Sequence, residues 1–62
     1  MSILYIAGED IAAGASVVVS LIDGKVYSAG ETAGTYIADA AENLREGFRV
    51  VERDGEMYED DA

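Results

Sequence analysis

Asp54-Gly-Glu56 followed by Glu59-Asp60-Asp61 places five carboxylates within eight residues, the densest group of reactive side chains in the chain. Clustered carboxylate oxygens are ligands for hard cations such as calcium, and paired carboxylates perform acid–base chemistry when one of them is held protonated. The spacing lacks the Asp-x-Asp-x-Asp-Gly order of a calcium loop, whereas Asp-Gly is the signature of a tight hairpin turn. These residues therefore read as a turn leading into a solvated acidic tail over 59–62, and neither a metal nor a cofactor is expected. Nucleophilic catalysis needs a nucleophile beside a base. The chain has no His, no Cys, one lysine (Lys25) and four serines without an evident activator. Thirteen acids in 62 residues make neighbouring carboxylates inevitable, so their proximity alone signals no catalytic pair. The seven glycines form neither a Gly-x-Gly-x-x-Gly nor a Walker pattern. The expectation is a protein that is not an enzyme.

Positioning these residues falls to a small domain. A chain of 62 residues is one domain (1–62), and at this size folding buries only about 60% of the surface of the unfolded chain. No disulfide or His/Cys zinc site is available as a staple, which leaves association with a partner. Half of the residues are hydrophobic, too many for a disordered segment despite a formal charge of −9. Residues 1–51 carry seven acids and three bases, and residues 52–62 six acids and one base. Such an imbalance repels nucleic acid and anionic membranes, so direct binding to either is not expected. The apolar run Val17 to Ile22 is far shorter than the ~20 residues of a membrane helix. No basic segment precedes an apolar one as in a signal peptide, so the expected start is intracellular and the protein not secreted.

The chain also repeats itself. Shifted by 31, Leu4 to Ala29 aligns with Thr35 to Asp60 without a gap, and seven of the 26 positions are identical: Tyr5/Tyr36, Ile6/Ile37, Ala7/Ala38, Val19/Val50, Asp23/Asp54, Gly24/Gly55 and Tyr27/Tyr58. Self-similarity at a fixed period marks a repeated supersecondary unit. Each pseudo-repeat (4–29 and 35–60) predicts a short strand, a connection, a longer strand, an Asp-Gly turn and a return strand. The expected fold is mostly β, with about six short strands in two hairpin-containing units forming a small barrel or sandwich. Asp39-Ala-Ala-Glu42 fits a capping box and Gly47 a terminator, so a short helical turn anchored by Leu44 is expected near 39–46.

A two-residue Asp-Gly turn would pair Ile22 with Lys25 and Leu21 with Val26 in the first hairpin, and Arg53 with Glu56 and Glu52 with Met57 in the second. Alternation then assigns Val17, Val19, Leu21, Val26, Phe48, Val50 and Met57 to the core. The opposite face is apolar in the first hairpin (Val18, Ile22, Tyr27) and charged in the second. An apolar second face is either covered or meets another chain. Val18, Ile22 and Tyr27 are the candidate partner or oligomer interface, with Ile3 and Tyr5 as an edge strand open to pairing.

The runs "AGEDIAAGASVVVSLIDGKVYSAG" and "TYIADAAENLREGFRVVERDG" resemble the small capsid decoration, or cement, proteins of tailed bacteriophages. The likeness spans roughly Gly8 to Gly55 and rests on turn and strand signatures: a Gly-loop, a hairpin ending in "DGKVY", an "IA" strand and a final "VxV"-type strand. It implies a structural protein of the virion capsid surface, made in the host cytoplasm. Such a protein forms a homo-oligomer, trimer or dimer, on the major capsid protein and holds the shell against internal DNA pressure. The charge supports another expectation, an acidic mimic of nucleic acid that inhibits a nuclease or other nucleic-acid-binding enzyme through Glu52, Asp54, Glu56, Glu59, Asp60 and Asp61. A homo-oligomeric scaffold in a cellular assembly shares the features of the first reading.

Overall fold

The computed structural model describes residues 3–30 and 32–60. Six strands form one mixed sheet: β1 (Leu4–Ile6), β2 (Ser16–Ser20), β3 (Val26–Ser28), β4 (Gly34–Ala40), β5 (Arg49–Arg53) and β6 (Glu56–Glu59), in the order β1-β5-β6-β4-β2-β3. Every pairing is antiparallel except that of β4 with β6. The sheet wraps around a core of Ala7, Ile11, Val17, Val26, Ala38, Ala40, Leu44, Val50 and Met57.

The expectation of a barrel or sandwich is corrected. Among the described residues there is one sheet and no second layer for a sandwich, and its edge strands β1 and β3 meet only at a single parallel bridge, Ala7 to Val26. β4 runs on through Ala40 and forms two register pairs with β6, whereas β1 stops at Ile6 and the chain bends away at Gly8 and Glu9. One bridge is not a ladder, and the sheet stays open.

The helical turn near 39–46 is also corrected: no helix occurs among the described residues. β4 extends through Asp39 and Ala40, and the backbone beyond finds distant partners in place of its own i−4 carbonyls. Ala41 N–H donates to Met57 O (2.9 Å), while Leu44 exchanges both backbone bonds with Ile11 (2.7 and 2.8 Å). Asn43 does not cap its own segment; its Oδ1 accepts Ala13 N–H at 2.9 Å. Leu44 is fully buried, as the bridge partner of Ile11 and not as the anchor of a helical turn.

The second hairpin has the expected register, Glu52 with Met57 and Arg53 with Glu56. Asp54 and Gly55 both have positive φ (53° and 81°), as a two-residue type I′ turn demands. The first hairpin does not. Val19, not Leu21, faces Val26, and Ser20 N–H donates to Lys25 O, so Leu21–Gly24 is a four-residue loop. Ser20 Oγ accepts Ile22 N–H (3.1 Å) and Asp23 Oδ1 accepts Lys25 N–H (2.9 Å), local bonds that compete with the ladder. Leu21, expected in the core, is 76% exposed in consequence, and Phe48, also expected there, is 44% exposed on the approach to β5.

The connectivity repeats, with β1 lying on the β5-β6 hairpin and β4 on the β2-β3 hairpin. Up to the turn the spacing between equivalent residues is 33, not 31, because the first turn is two residues longer. Ala7/Ala40, Glu9/Glu42, Gly14/Gly47, Val17/Val50 and Val18/Val51 then coincide. The bonds coincide too. Gly47 N–H and Gly14 N–H donate to Ala7 O and Ala40 O, both at 2.8 Å. Asp10 Oδ1 accepts Glu46 N–H as Asn43 Oδ1 accepts Ala13 N–H (2.8 and 2.9 Å). Glu9 accepts Ser28 N–H as Glu42 accepts Glu59 N–H, both at 2.9 Å. Ile11 and Leu44 occupy equivalent places and bond to each other, so the relation is an approximate twofold passing between them.

Candidate interaction surface

Strand alternation turns two rows of side chains to the outer face. Across β4, β2 and β3, Val18 pairs with Tyr36 on one side and Tyr27 on the other. Across β1, β5 and β6, Val51 pairs with Leu4 and Tyr58. These rows are twofold equivalents. A bulge where β4 passes Val17 and Val18 lets Ala38 face inward and Tyr36 and Asp39 outward. Val18 is only 6% exposed yet lies outside the core cluster, since cross-strand neighbours cover it on the outer side.

Each outer tyrosine hydroxyl donates to a carboxylate of its own unit: Tyr27 to Asp23 Oδ2 (2.6 Å), Tyr36 to Asp39 Oδ1 (3.0 Å) and Tyr58 to Glu56 Oε2 (3.1 Å). The hydrogen bond to a carboxylate holds all three phenols above their ordinary 10.0, and the same bond, with that from Lys25 N–H, pulls Asp23 below 3.8. Tyr27 also lies against Gly8, where a Cβ would come within 2.3 Å of its ring.

The candidate interface residues do not form one surface. Val18 and Tyr27 are neighbours; Ile22 stands apart at the hairpin tip, 93% exposed beside exposed Leu21. Tyr5 sits on β1 opposite buried Val50 and packs half-buried against the core, while Ile3, just before β1, is exposed. Leu4 and Ile6, not among the candidates, are the exposed apolar residues of that edge strand.

Three acids of the alternative surface, Glu52, Glu56 and Glu59, are engaged within the fold. Glu52 Oε2 accepts Gly55 N–H (2.9 Å), Glu56 accepts the Tyr58 hydroxyl, and Glu59 is ion-paired with Arg45 at 3.0 Å. The Arg45 guanidinium and backbone N–H, both bonded to Glu59, hold its carboxyl below 4.5. Asp54 is in the turn, Asp60 N–H donates to Arg49 O (2.9 Å), and Asp61 lies outside the described residues. Arg45 also stacks on Phe48 (4.0 Å) and Arg53 on Tyr58 (4.8 Å), so cations are interleaved with the acids. Among the described residues no group of three or more His, Cys, Asp or Glu side chains is placed to hold a metal, and no helix is long and apolar enough to cross a membrane.

Compared with protein-family models, curated proteins and solved structures, the chain matches none.

Proposed function

We propose that this is a non-enzymatic assembly protein that docks on the outer capsid shell of a tailed phage, with the major capsid protein as its partner. The observation that carries the reading is the Leu21–Ile22 tip. The equivalent Asp54-Gly55 turn closes its hairpin without those two residues, so folding does not require them, yet they expose two aliphatic side chains to water. Exposed aliphatic side chains on an otherwise well-folded tip gain most when another molecule covers them. The resemblance of the surrounding "LIDGKVY" to capsid decoration proteins supplies the partner.

The test is cosedimentation with shells of the phage that carries this chain, comparing the wild type with a variant lacking Leu21 and Ile22. The deletion leaves Asp23-Gly24 as a two-residue turn and is expected to keep the β circular dichroism while losing at least tenfold in shell affinity. Retained binding by the folded deletion variant would sink the reading. Binding lost only in the triple variant E52Q/D54N/E56Q, with steep salt dependence, would favour the acidic mimic instead.

A further inference from the structure

The Asp-Gly pair occurs twice, and the fold treats the two copies differently. Asp-Gly is a reactive sequence as well as a turn signal, because glycine has no side chain to shield its nitrogen, which can attack the aspartate carboxyl and close a five-membered imide. At Asp23-Gly24 both partners are held. Asp23 Oδ1 accepts Lys25 N–H (2.9 Å), Oδ2 accepts the Tyr27 hydroxyl (2.6 Å), and Gly24 N–H donates to the Ser20 carbonyl (3.1 Å), a poor proton acceptor. At Asp54-Gly55 the Asp54 carboxylate is exposed and has no hydrogen-bond partner among the described residues, while Gly55 N–H donates to a carboxylate, Glu52 Oε2, at 2.9 Å. That bond lies in the peptide plane. Attack on the carboxyl uses the nitrogen electrons above the plane, so base and electrophile do not compete for one position.

The backbone favours the same copy. A planar imide ring eclipses Cβ with the glycine nitrogen and fixes the aspartate ψ at about −120°, so with a φ of 53° the closed ring at Asp54 has the angles of the first central residue of a type II′ turn. Types I′ and II′ both close a two-residue hairpin. Rotation of the single peptide between Asp54 and Gly55 therefore reaches the ring geometry with β5 and β6 still paired. Asp23 sits in a four-residue loop, and Asp54 is the one non-glycine among the described residues with positive φ.

We propose that Asp54 is a site of spontaneous conversion to isoaspartate, with Glu52 as the base that carries the proton. The Gly55 nitrogen bonds to Cγ of the protonated Asp54 carboxyl as a Cγ–O bond breaks. The amide proton passes to Glu52 and from there to the departing oxygen, which leaves as water. A second water then opens the ring: attack at the main-chain carbonyl carbon of residue 54 gives isoaspartate, and attack at Cγ restores aspartate. No electrons are transferred, and the only co-reactant is water. Isoaspartate adds one methylene to the main chain of the two-residue turn, so the modified turn no longer matches the pairing of Arg53 with Glu56 and Glu52 with Met57. This chemistry is independent of capsid docking.

Ageing the full-length chain for weeks near neutral pH, folded and in urea, tests the assignment, with electron-transfer fragmentation of the intact chain to locate isoaspartate. In the folded chain Asp54 is expected to convert about tenfold or more faster than Asp23, which must first release two hydrogen bonds from its carboxylate. In urea those bonds are gone, and the two sites are expected to react at similar rates. Glu52→Gln keeps an acceptor for Gly55 N–H but takes up no proton. It is expected to slow Asp54 severalfold in the folded chain, leaving Asp23 and both rates in urea unchanged, with a melting curve to show that the variant is folded. No isoaspartate at Asp54, or equal rates at the two sites in the folded chain, overturns the proposal. An unchanged Asp54 rate in folded Glu52→Gln overturns the part given to Glu52.

Discussion

Two glycines sit where a side chain has no room, for different reasons. A Cβ at Gly34 would lie 2.3 Å from the Val19 carbonyl oxygen, a backbone atom in the adjacent strand that cannot give way. Gly34→Ala is expected to destabilise by about 2 kcal/mol or more, read from denaturant midpoints. At Gly8 the obstacle is the Tyr27 ring, which can move. Gly8→Ala is expected to cost about 1–3 kcal/mol alone, and less in the presence of Tyr27→Ala, so that a double-mutant cycle shows coupling. The tyrosine–carboxylate pairs predict a pH profile of definite sign. Asp23 and Glu59 are depressed in the fold, so their contribution is present above their ordinary range and is lost as pH falls through the lowered values. Tyr27, Tyr36 and Tyr58 are raised above 10.0, so theirs is present below that value and is lost as pH rises through the raised ones. Stability is expected to be flat between about pH 5 and 9 and to fall on both sides. Glu59→Gln should flatten the acid limb and Tyr27→Phe the alkaline one, as measured by urea denaturation.

At the scale of elements, the two turns decide how much of the fold could be read in advance. Asp54-Gly55 needed only local chemistry, and the strands, register and core residues Val50 and Met57 around it follow from the sequence. Asp23-Gly24 carries the same dipeptide, but Ser20 and Asp23 bond to the backbone of the loop and enlarge it. That is a competition between local bonds and the ladder which the dipeptide alone does not announce. It displaced the pairing by two residues, moved Leu21 from core to solvent and hid the true spacing of 33 behind an apparent 31. The 39–46 segment misled for a complementary reason: Asp39 accepts the Tyr36 hydroxyl within β4, Glu42 accepts Glu59 N–H on β6, and Gly47 and Leu44 bond to Ala7 and Ile11 of the other half, so the capping-type residues serve strand and tertiary partners in place of a helix. Val18 and Tyr27 were legible as residues of one second face, though not as direct partners, whereas Leu4 and Ile6 were not, because a three-residue strand carries too little alternation to tell which side meets the core. Deleting Leu21 and Ile22 is expected to change stability by less than about 1 kcal/mol, since Asp23 would adopt the conformation Asp54 already has. Gly55→Ala, at φ 81°, is expected to cost about 1 kcal/mol, with both effects read from thermal melts.

For the molecule as a whole, a formal charge of −9 on 62 residues works against compaction. Raising sodium chloride from about 10 to 500 mM shortens the screening length to a few ångströms and is expected to raise the melting temperature by about 5 °C, near 1 kcal/mol at this size. An unchanged or lower melting temperature would show that self-repulsion of the acidic surface does not limit stability.

The pairing of β1 with β5 bears on how the chain is born. Ribosomes deliver residues in order, and 45 positions separate Leu4 from Arg49. At roughly 5–20 residues per second, the nascent β1 edge therefore waits on the order of 2–9 s for the strand that covers it. A growing chain of this design exposes its apolar amino-terminal edge to chaperones, or to a neighbouring nascent copy on the same message, before it can close on itself.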